Sequence, residues 1–298
     1  MTLRTAVLAA LLFASQALPD SEQEGKGFTV WGRFQGSANT IGLVTRLDGA
    51  AGYNFNRYFG VDAGVPIYFV RPSSATTSTL GTSARSGIGN VFADVRLSIA
   101  NPIVNYTSVL TGTAPTGDKT AGFSTGRPTI DWVNHFDRSF SRLTPFANVG
   151  FANTISDTPF FIRPFTSLGF VSQIEGGADY RIVRGVSVGG SAYKIAPAGQ
   201  QTIISRVVGA PRAGGSSPGR GSSQGRHGHE QPFETTFETI GTSDLARDHG
   251  FSGWVNLRPA SYVSFEVGYS RSVPFALDTL FFGTTFNLRP LARRIHGQ

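Results

Sequence analysis

The sequence has no cysteine and little lysine or methionine, and beyond its first residues it has no long apolar run. Without cysteine there can be no disulfide framework, no cysteine-ligated zinc site and no thiol nucleophile. After Ala17, no stretch approaches the roughly 18 apolar residues that a membrane-spanning helix needs. These absences leave two possibilities, a water-soluble domain or a β-barrel.

The first seventeen residues are predicted to be a secretory signal peptide. Arg4 gives a basic start, an apolar run follows from Ala6 to Ala14, and Ser15-Gln16-Ala17 offers small residues where a signal peptidase cuts. The alternative is a buried N-terminal helix, but the sequence that follows is strand-like and offers no partner helix. We therefore predict export from the cytoplasm.

The charge is basic, with 26 lysines and arginines against 19 acids, but only three of the 26 are lysines. A basic balance is typical of nucleic-acid-binding proteins. Here the arginines are scattered through strand-like segments, with no basic helix and no run of five or more. The sequence therefore predicts no nucleic-acid partner.

Two-residue alternation is the main structural signal. Residues 262–270 place Val263, Phe265 and Val267 on one face and polar residues on the other, and residues 59–69 and 90–100 alternate in the same way. Glycine and phenylalanine are abundant and helix-forming runs are scarce. Twelve strands are predicted, over residues 28–37, 40–54, 59–69, 90–100, 105–114, 127–138, 143–153, 164–181, 186–197, 251–259, 262–270 and 279–288.

The connections between these strands alternate in length. Short links are predicted at 54–57, 101–105, 138–142, 181–185 and 259–261. Long ones are predicted at 71–88, 115–126, 154–163 and 198–250, and two short links, 37–40 and 273–278, are assigned to the long-loop side. An even strand number with this segregation is typical of outer-membrane barrels. We predict an all-β fold, a transmembrane antiparallel barrel of about twelve strands in the bacterial outer membrane, with short periplasmic turns and longer extracellular loops.

The predicted domain organisation follows from these segments. It consists of a signal peptide at 1–17, an outer-membrane barrel at 18–288 and a C-terminal tail at 289–298. The barrel includes the extracellular loop 198–250, which is rich in glycine, serine and arginine and is predicted to be flexible. The arginines of residues 212–226 within this loop are a candidate contact for lipopolysaccharide phosphates, and a plain solvated loop is the alternative.

The last predicted strand resembles the signal by which the barrel-assembly machinery recognises outer-membrane proteins. Gly283 is followed by the aromatic Phe286 and the apolar Leu288. The sequence departs from that pattern at Phe281, where a polar residue is usual, and in the ten residues that follow the strand. The resemblance implies an interaction of this strand with the assembly machinery.

Two further segments are similar to a family of outer-membrane transporters associated with the meta-pathway of phenol degradation. They are Gly87–Arg96, with Asn90 where that family more often has aspartate, and Thr111–Asp118, which ends in Pro-Thr-Gly-Asp. The resemblance implies a barrel and the uptake of small aromatic or other apolar molecules. Its turn residues are Gly87, Gly89, Pro115, Gly117 and Asp118. They are either strand–loop junctions or contacts to cargo.

The alternation also predicts which charged side chains face the inside of the barrel. These lumen candidates are Arg33, Arg46, Asp48, Asp62, Asp94, Arg96, Asp131, His135, Asp137, Glu175, Asp179, Arg258 and Glu266. They form either the walls of a narrow water-filled passage or a set of cross-strand pairs that fills a closed lumen.

The sequence offers no convincing catalytic or metal site. His135 has Asp131 and Asp137 on its own face, but no serine in a strained turn accompanies them. Residues 185–189 match the Gly-x-Ser-x-Gly pattern of a nucleophile elbow, but no helix follows them. The His227/His229 pair lacks the further ligands that a metal site needs. We predict no enzyme activity, no cofactor and no metal.

The predicted function is that of an outer-membrane channel for passive uptake of small molecules. Outer-membrane lipid, lipopolysaccharide and the small-molecule cargo would be its partners. The alternative is a non-conducting structural or surface barrel that uses its long basic loop.

Overall fold

A computed structural model describes residues 26–74, 84–155, 157, 163, 165–205 and 238–287. It contains sixteen strands and one short 3-10 helix, Ser243–Ala246. The first eight strands are β1 Gly27–Ala38, β2 Gly42–Asn54, β3 Phe59–Pro72, β4 Arg85–Ile88, β5 Phe92–Ile99, β6 Asn105–Thr113, β7 Thr129–Asp137 and β8 Leu143–Ala152. The others are β9 Phe165–Leu168, β10 Val171–Val183, β11 Val186–Pro197, β12 Gln201–Ser205, β13 Glu238–Gly241, β14 Asp248–Ala260, β15 Val263–Ser272 and β16 Leu277–Asn287.

Thirteen of these strands form one closed antiparallel sheet. Its order is β1, β2, β3, β5, β6, β7, β8, β10, β11, β14, β15 and β16, with β4 sharing the position of β5 beside β3. The first and last strands pair antiparallel, from Trp31 opposite Asn287 to Ala38 opposite Leu280. The result is a twelve-position barrel without a free edge, as a membrane requires, because each unpaired backbone group in hydrocarbon costs several kcal/mol.

The outer surface of the barrel is apolar and much of its interior is polar, the reverse of a soluble protein. Polar residues such as Asp48, Asn256 and Thr279 are buried. The exposed side chains include Phe28, Val30, Leu47, Phe69, Val95, Leu97, Leu110, Trp132, Phe151, Ile174, Val255, Leu257, Val267, Leu280 and Phe286. This apolar belt on a closed barrel places the protein in the bacterial outer membrane.

A charge placed on this belt is expected to prevent assembly. Val267 lies in the middle of β15 and is 51% exposed, so arginine at this position would meet hydrocarbon. The expected cost of Val267→Arg is ~2–4 kcal/mol at the bilayer midplane, measured as the shift of the folded fraction in a urea titration in lipid vesicles. Thr107→Arg, on the inward face of β6, is the control. Equal losses from both variants would contradict the assignment of the two faces.

Connection lengths segregate between the two ends of the barrel as predicted. The turns at one end are short, and two of them are closed by asparagine: Asn56 Oδ1 accepts the backbone N–H groups of Tyr58 and Phe59, and Asn101 does the same for Ile103 and Val104. Such side-chain acceptors stabilise tight turns. At the other end, the connections after β3, β6, β8 and β11 are long.

One strand prediction is wrong in detail. Residues 164–181 form two strands in place of one, and the chain turns away at Gly169, whose φ of +148° favours glycine. The first of the two, β9, pairs with β12, and β12 pairs with β13 in a separate three-stranded sheet.

Both ends of the predicted loop 198–250 contain regular secondary structure. β12, β13 and the 3-10 helix all lie within it, and β14 begins at Asp248. Several interpretations concern residues that lie outside the described part of the chain. These are the signal peptide 1–17, the arginine-rich residues 212–226, His227, His229, Leu288 and the tail 289–298.

Among the described residues, no helix is both long enough and apolar enough to cross a membrane.

Candidate channel interior

The strand register places the predicted lumen residues on one face of the sheet. Arg33 is opposite Asp48, Asp62 is opposite Asp94, and His135 is opposite Asn148, which in turn faces Glu175. Following the same alternation around the barrel brings Arg46, Arg96, Asp131, Asp137, Asp179 and Glu266 to the inward face. Arg258 lies two residues after the inward Asn256, where the β14–β15 register shifts.

A buried carboxylate joins two arginines on the β1–β2 wall. Asp48 is 1% exposed and accepts hydrogen bonds from Arg33 Nε at 2.9 Å and from Arg46 Nε at 2.6 Å. Arg46 Nη1 also reaches Asp157 at 3.1 Å, in the connection between β8 and β9. Tyr68 donates to the same Asp157 carboxylate at 3.2 Å. This network holds Asp157 against the wall formed by β2 and β3.

Neighbouring charges on β3 and β5 form hydrogen bonds with neutral groups. Thr29 donates to Asp62 at 3.1 Å and Thr111 donates to Asp94 at 2.6 Å. Arg96 donates to Asn54 at 2.9 Å. Charge-assisted hydrogen bonds of this kind orient a charged side chain without neutralising it.

Four carboxylates lie on the inward face of β7 and β10, those of Asp131, Asp137, Glu175 and Asp179. Asp137 accepts from Asn105 at 3.0 Å and lies 3.4 Å from His135 Nε2. The other imidazole nitrogen of His135, Nδ1, lies 2.7 Å from Asn148 Oδ1. Asn148 donates in turn to Glu175 at 2.9 Å.

The two walls of the barrel differ in accessibility. On β14, β15, β16, β1, β2 and β3, many inward residues are buried, among them Thr29, Gln35, Asp48, Asp62, Ser252, Asn256, Glu266 and Phe281. From β5 to β10, most inward residues are half-buried and remain in contact with solvent, among them Arg96, Thr107, Asp131, His135, Asp137, Asn148, Glu175 and Asp179. Side chains therefore fill the interior mainly on the side formed by β14, β15, β16, β1, β2 and β3.

Three large aromatic rings inside the barrel each lie over a glycine of the neighbouring strand. A Cβ on Gly177 would come within 2.7 Å of the Phe146 ring, and one on Gly189 within 2.3 Å of Trp254. Phe281 covers Gly268 in the same way. In each case the aromatic residue and the glycine are direct cross-strand partners. Glycine leaves room for the ring to lie flat on the wall.

An apolar core covers the long-loop end of the interior. It joins the ends of barrel strands to residues of the smaller sheet and of the loops. Its buried members are Ile41, Val44, Tyr68, Val70, Phe123, Ala152, Ile155, Phe165, Val171, Ile195, Ile203, Ala246, Phe275 and Leu277. Beside it, Arg163 donates to Asp248 at 2.6 Å in a fully buried ion pair.

The residues that carry the family resemblance meet at this end. The connection 114–128 between β6 and β7 docks on the wall because Gly117 packs on the backbone of Gly89 and donates to Asn90 Oδ1 at 3.2 Å. Gly87 makes room for the ring of Phe123. These glycines therefore serve a loop contact within the protein.

This connection places the side chain of Phe123 at the long-loop end of the barrel interior, which we call the mouth. Its ring is 5% exposed and stacks on Tyr68 with centroids 5.8 Å apart and planes 4° apart. Asp118 shapes the loop by accepting from Thr120 and from the Ala121 backbone, and these bonds hold the pKa of Asp118 below its usual value. Pro115 precedes this turn and is exposed.

Sequence reasoning missed the inward aromatic residues and the loop residues Asp157 and Arg163. The sequence did contain a signal for the inward aromatic residues, because Trp254 alternates in step with the polar Ser252 and Asn256 and so lies on the same face of the strand. Asp157 and Arg163 had none, since their positions depend on how a long connection folds back over the barrel.

Comparison of the sequence with protein-family models and with curated proteins finds no match. Solved structures do resemble the fold. An outer membrane channel from Pseudomonas putida F1 superposes with a TM-score of 0.55 at 12% identity, over 91% of this chain and 100% of that one. The KdgM porin, in complex with oligogalacturonate, gives 0.47 at 8% identity over 87% and 98% of the two chains, and the NanC porin gives 0.46 at 8% over 86% and 98%. The likeness to the Pseudomonas channel shows that this chain has the fold of an outer-membrane β-barrel.

Proposed function

We propose that the protein is a channel through which small molecules cross the outer membrane by passive diffusion. The observation that carries this proposal is the half-buried inward face from β5 to β10. Side chains that point into a closed barrel and still meet solvent leave that side of the lumen unfilled. Twelve strands also lie between the ~8 whose interior side chains can fill and the 16–18 of wide porins.

The cargo we propose is a small molecule with aromatic or other apolar groups. The resemblance to the meta-pathway transporters implies such a cargo. The half-buried inward rings of Trp31 and Phe146 offer apolar surface beside the polar wall. We also propose that outward residues of β16 contact the barrel-assembly machinery and that the basic loop contacts lipopolysaccharide, which site-specific cross-linking in cells would test.

A second candidate, a closed structural barrel, is favoured by the apolar core over the long-loop end. If that core stays in place, solute cannot pass the mouth. The two candidates differ in what they require of Phe123 and of the loop that carries it.

Removing the Phe123 ring is expected to open the mouth. Phe123→Ala loses a stacked, buried ring, a change that costs roughly 3–5 kcal/mol of local packing, and Gly87→Val displaces the same ring by collision. We expect both variants to raise single-channel conductance in planar bilayers by on the order of twofold. Phe140→Ala, an exposed phenylalanine in a turn at the opposite end, is the matched control.

Wild-type protein that conducts, with larger conductance in both mouth variants, supports the channel. If wild-type protein and both variants give neither conductance nor solute flux while running as folded barrels on unboiled gels, the closed barrel is the correct interpretation.

A further inference from the structure

One buried carboxylate on the inward face, that of Glu266, has no partner among the described residues. Glu266 is 3% exposed, and its Oε2 accepts no hydrogen bond from that part of the chain. Its cross-strand neighbours are Asn256 and Gly283, neither of which carries charge. A buried carboxylate in such surroundings is strongly destabilising unless a proton or a cation reaches it.

Two more carboxylates lie on the inward face of β10, and all their hydrogen-bond donors in the described chain are neutral. Asp179, which interacts electrostatically with Glu266, accepts from Trp254 Nε1 at 2.9 Å. Glu175 accepts from Ser191 at 2.6 Å and from Asn148 at 2.9 Å. These bonds hold the carboxylates in place without a directly bonded cation. His135 interacts electrostatically with both carboxylates, and the buried Arg163 interacts with Glu175.

Three inward arginines lie on the other wall, on β1, β2 and β5. Arg33 and Arg46 are both bonded to Asp48, and Arg96 donates to Asn54. Although the whole chain carries a formal charge of +7, the wall formed by β10 and β15 presents acidic groups. A cation in the lumen would therefore be drawn to this wall.

Aromatic rings border the same carboxylates. Trp254 and Phe146 lie with centroids 6.1 Å apart at 45°, and Phe281 packs with them. The faces of such rings attract cations, most strongly where water is excluded. Rings with carboxylates suit an ammonium group that carries apolar substituents, whereas Ca²⁺ and Mg²⁺ require six or more oxygen ligands.

We propose that Glu266, Asp179 and Glu175, together with the rings of Trp254 and Phe146, form a site inside the barrel for an organic cation, a quaternary or protonated amine. This inference rests on the proposed channel function for access to the site, and it names the substrate class that the channel would favour. The half-buried Phe146, Glu175 and Asp179 form the side of the site that faces the accessible part of the lumen.

Calorimetric titration of the detergent-solubilised barrel with choline tests the proposal. The neutral isostere 3,3-dimethylbutan-1-ol has the same shape without the charge and is the matched ligand control. We expect saturable binding of choline alone, and a Kd about tenfold higher in Glu266→Gln, since one charge–charge interaction is lost. Asp179→Asn, which keeps an acceptor for Trp254, is expected to weaken binding similarly, while Asp278→Asn on the outer face is not.

Equal binding of the alcohol, no saturable choline binding, or an unchanged Kd in both lumen variants would overturn the proposal. Compact migration on unboiled gels verifies that each variant is folded. If Glu266→Gln does not assemble, the Kd of Asp179→Asn for choline decides the test. Binding without any flux would leave the site standing and reject the channel, whereas flux without binding would reject the site alone.

Discussion

Replacing Asp48 with asparagine is expected to destabilise the barrel strongly. The substitution leaves Arg33 and Arg46 facing each other without the carboxylate that joins them. Removing one partner of a buried ion pair typically costs 3–5 kcal/mol because the remaining charge stays buried. We expect the temperature at which the protein loses compact migration on unboiled gels to fall clearly.

Asp278→Asn provides the matched control. Asp278 accepts from Arg271 at 2.6 Å, but the pair lies on the exposed outer face at the ends of β15 and β16. Exposed pairs contribute only about 0–1 kcal/mol, so this variant should keep the wild-type transition. Similar shifts for Asp48→Asn and Asp278→Asn would mean that the Asp48 network does not stabilise the wall.

Valine at Gly189 is expected to impair folding, whereas valine at Gly190 should not. A Cβ on Gly189 would come within 2.3 Å of the Trp254 ring and 2.5 Å of Asp179 Oδ1, while one on Gly190 has its nearest neighbour at 3.4 Å. The two glycines are adjacent in β11 and point to opposite faces. Overpacking of this kind costs about 1–3 kcal/mol. Urea titration of the folded fraction in vesicles measures the difference.

The three atoms nearest to a Cβ at Gly189 belong to the side chains of Trp254 and Asp179, so shortening Trp254 should relieve part of the collision. The double variant Gly189→Val/Trp254→Ala is expected to be more stable than the sum of its two single changes predicts. Strict additivity would show that the ring and the glycine do not depend on each other.

The barrel itself could be predicted from the sequence because its two faces meet different solvents. Residues 262–270 had to alternate, since Val267 meets lipid while Glu266 points inward, and β15 has these orientations. The connection lengths indicated the number of strands, because the short turns all lie on the same side of the membrane.

What could not be predicted depends on contacts between distant segments. The sequence predicts one strand where β9 and β10 lie, because both are extended and only Gly169 and Phe170 separate them. Within the interior, alternation gave the inward orientation of Asp48 and Arg33. It could not show that Asp157, more than a hundred residues away, reaches Arg46, because a connection has no periodicity from which its path can be read.

Because β1 pairs with β16, the barrel can close only when the chain has been synthesised as far as its last strand. Any product of translation that stops before residue 277 leaves β1 and β15 each with a row of unmatched amide groups, which hydrocarbon does not tolerate. Truncated products should therefore stay in the periplasm, where proteases can degrade them. Only full-length polypeptides should insert stably into the outer membrane.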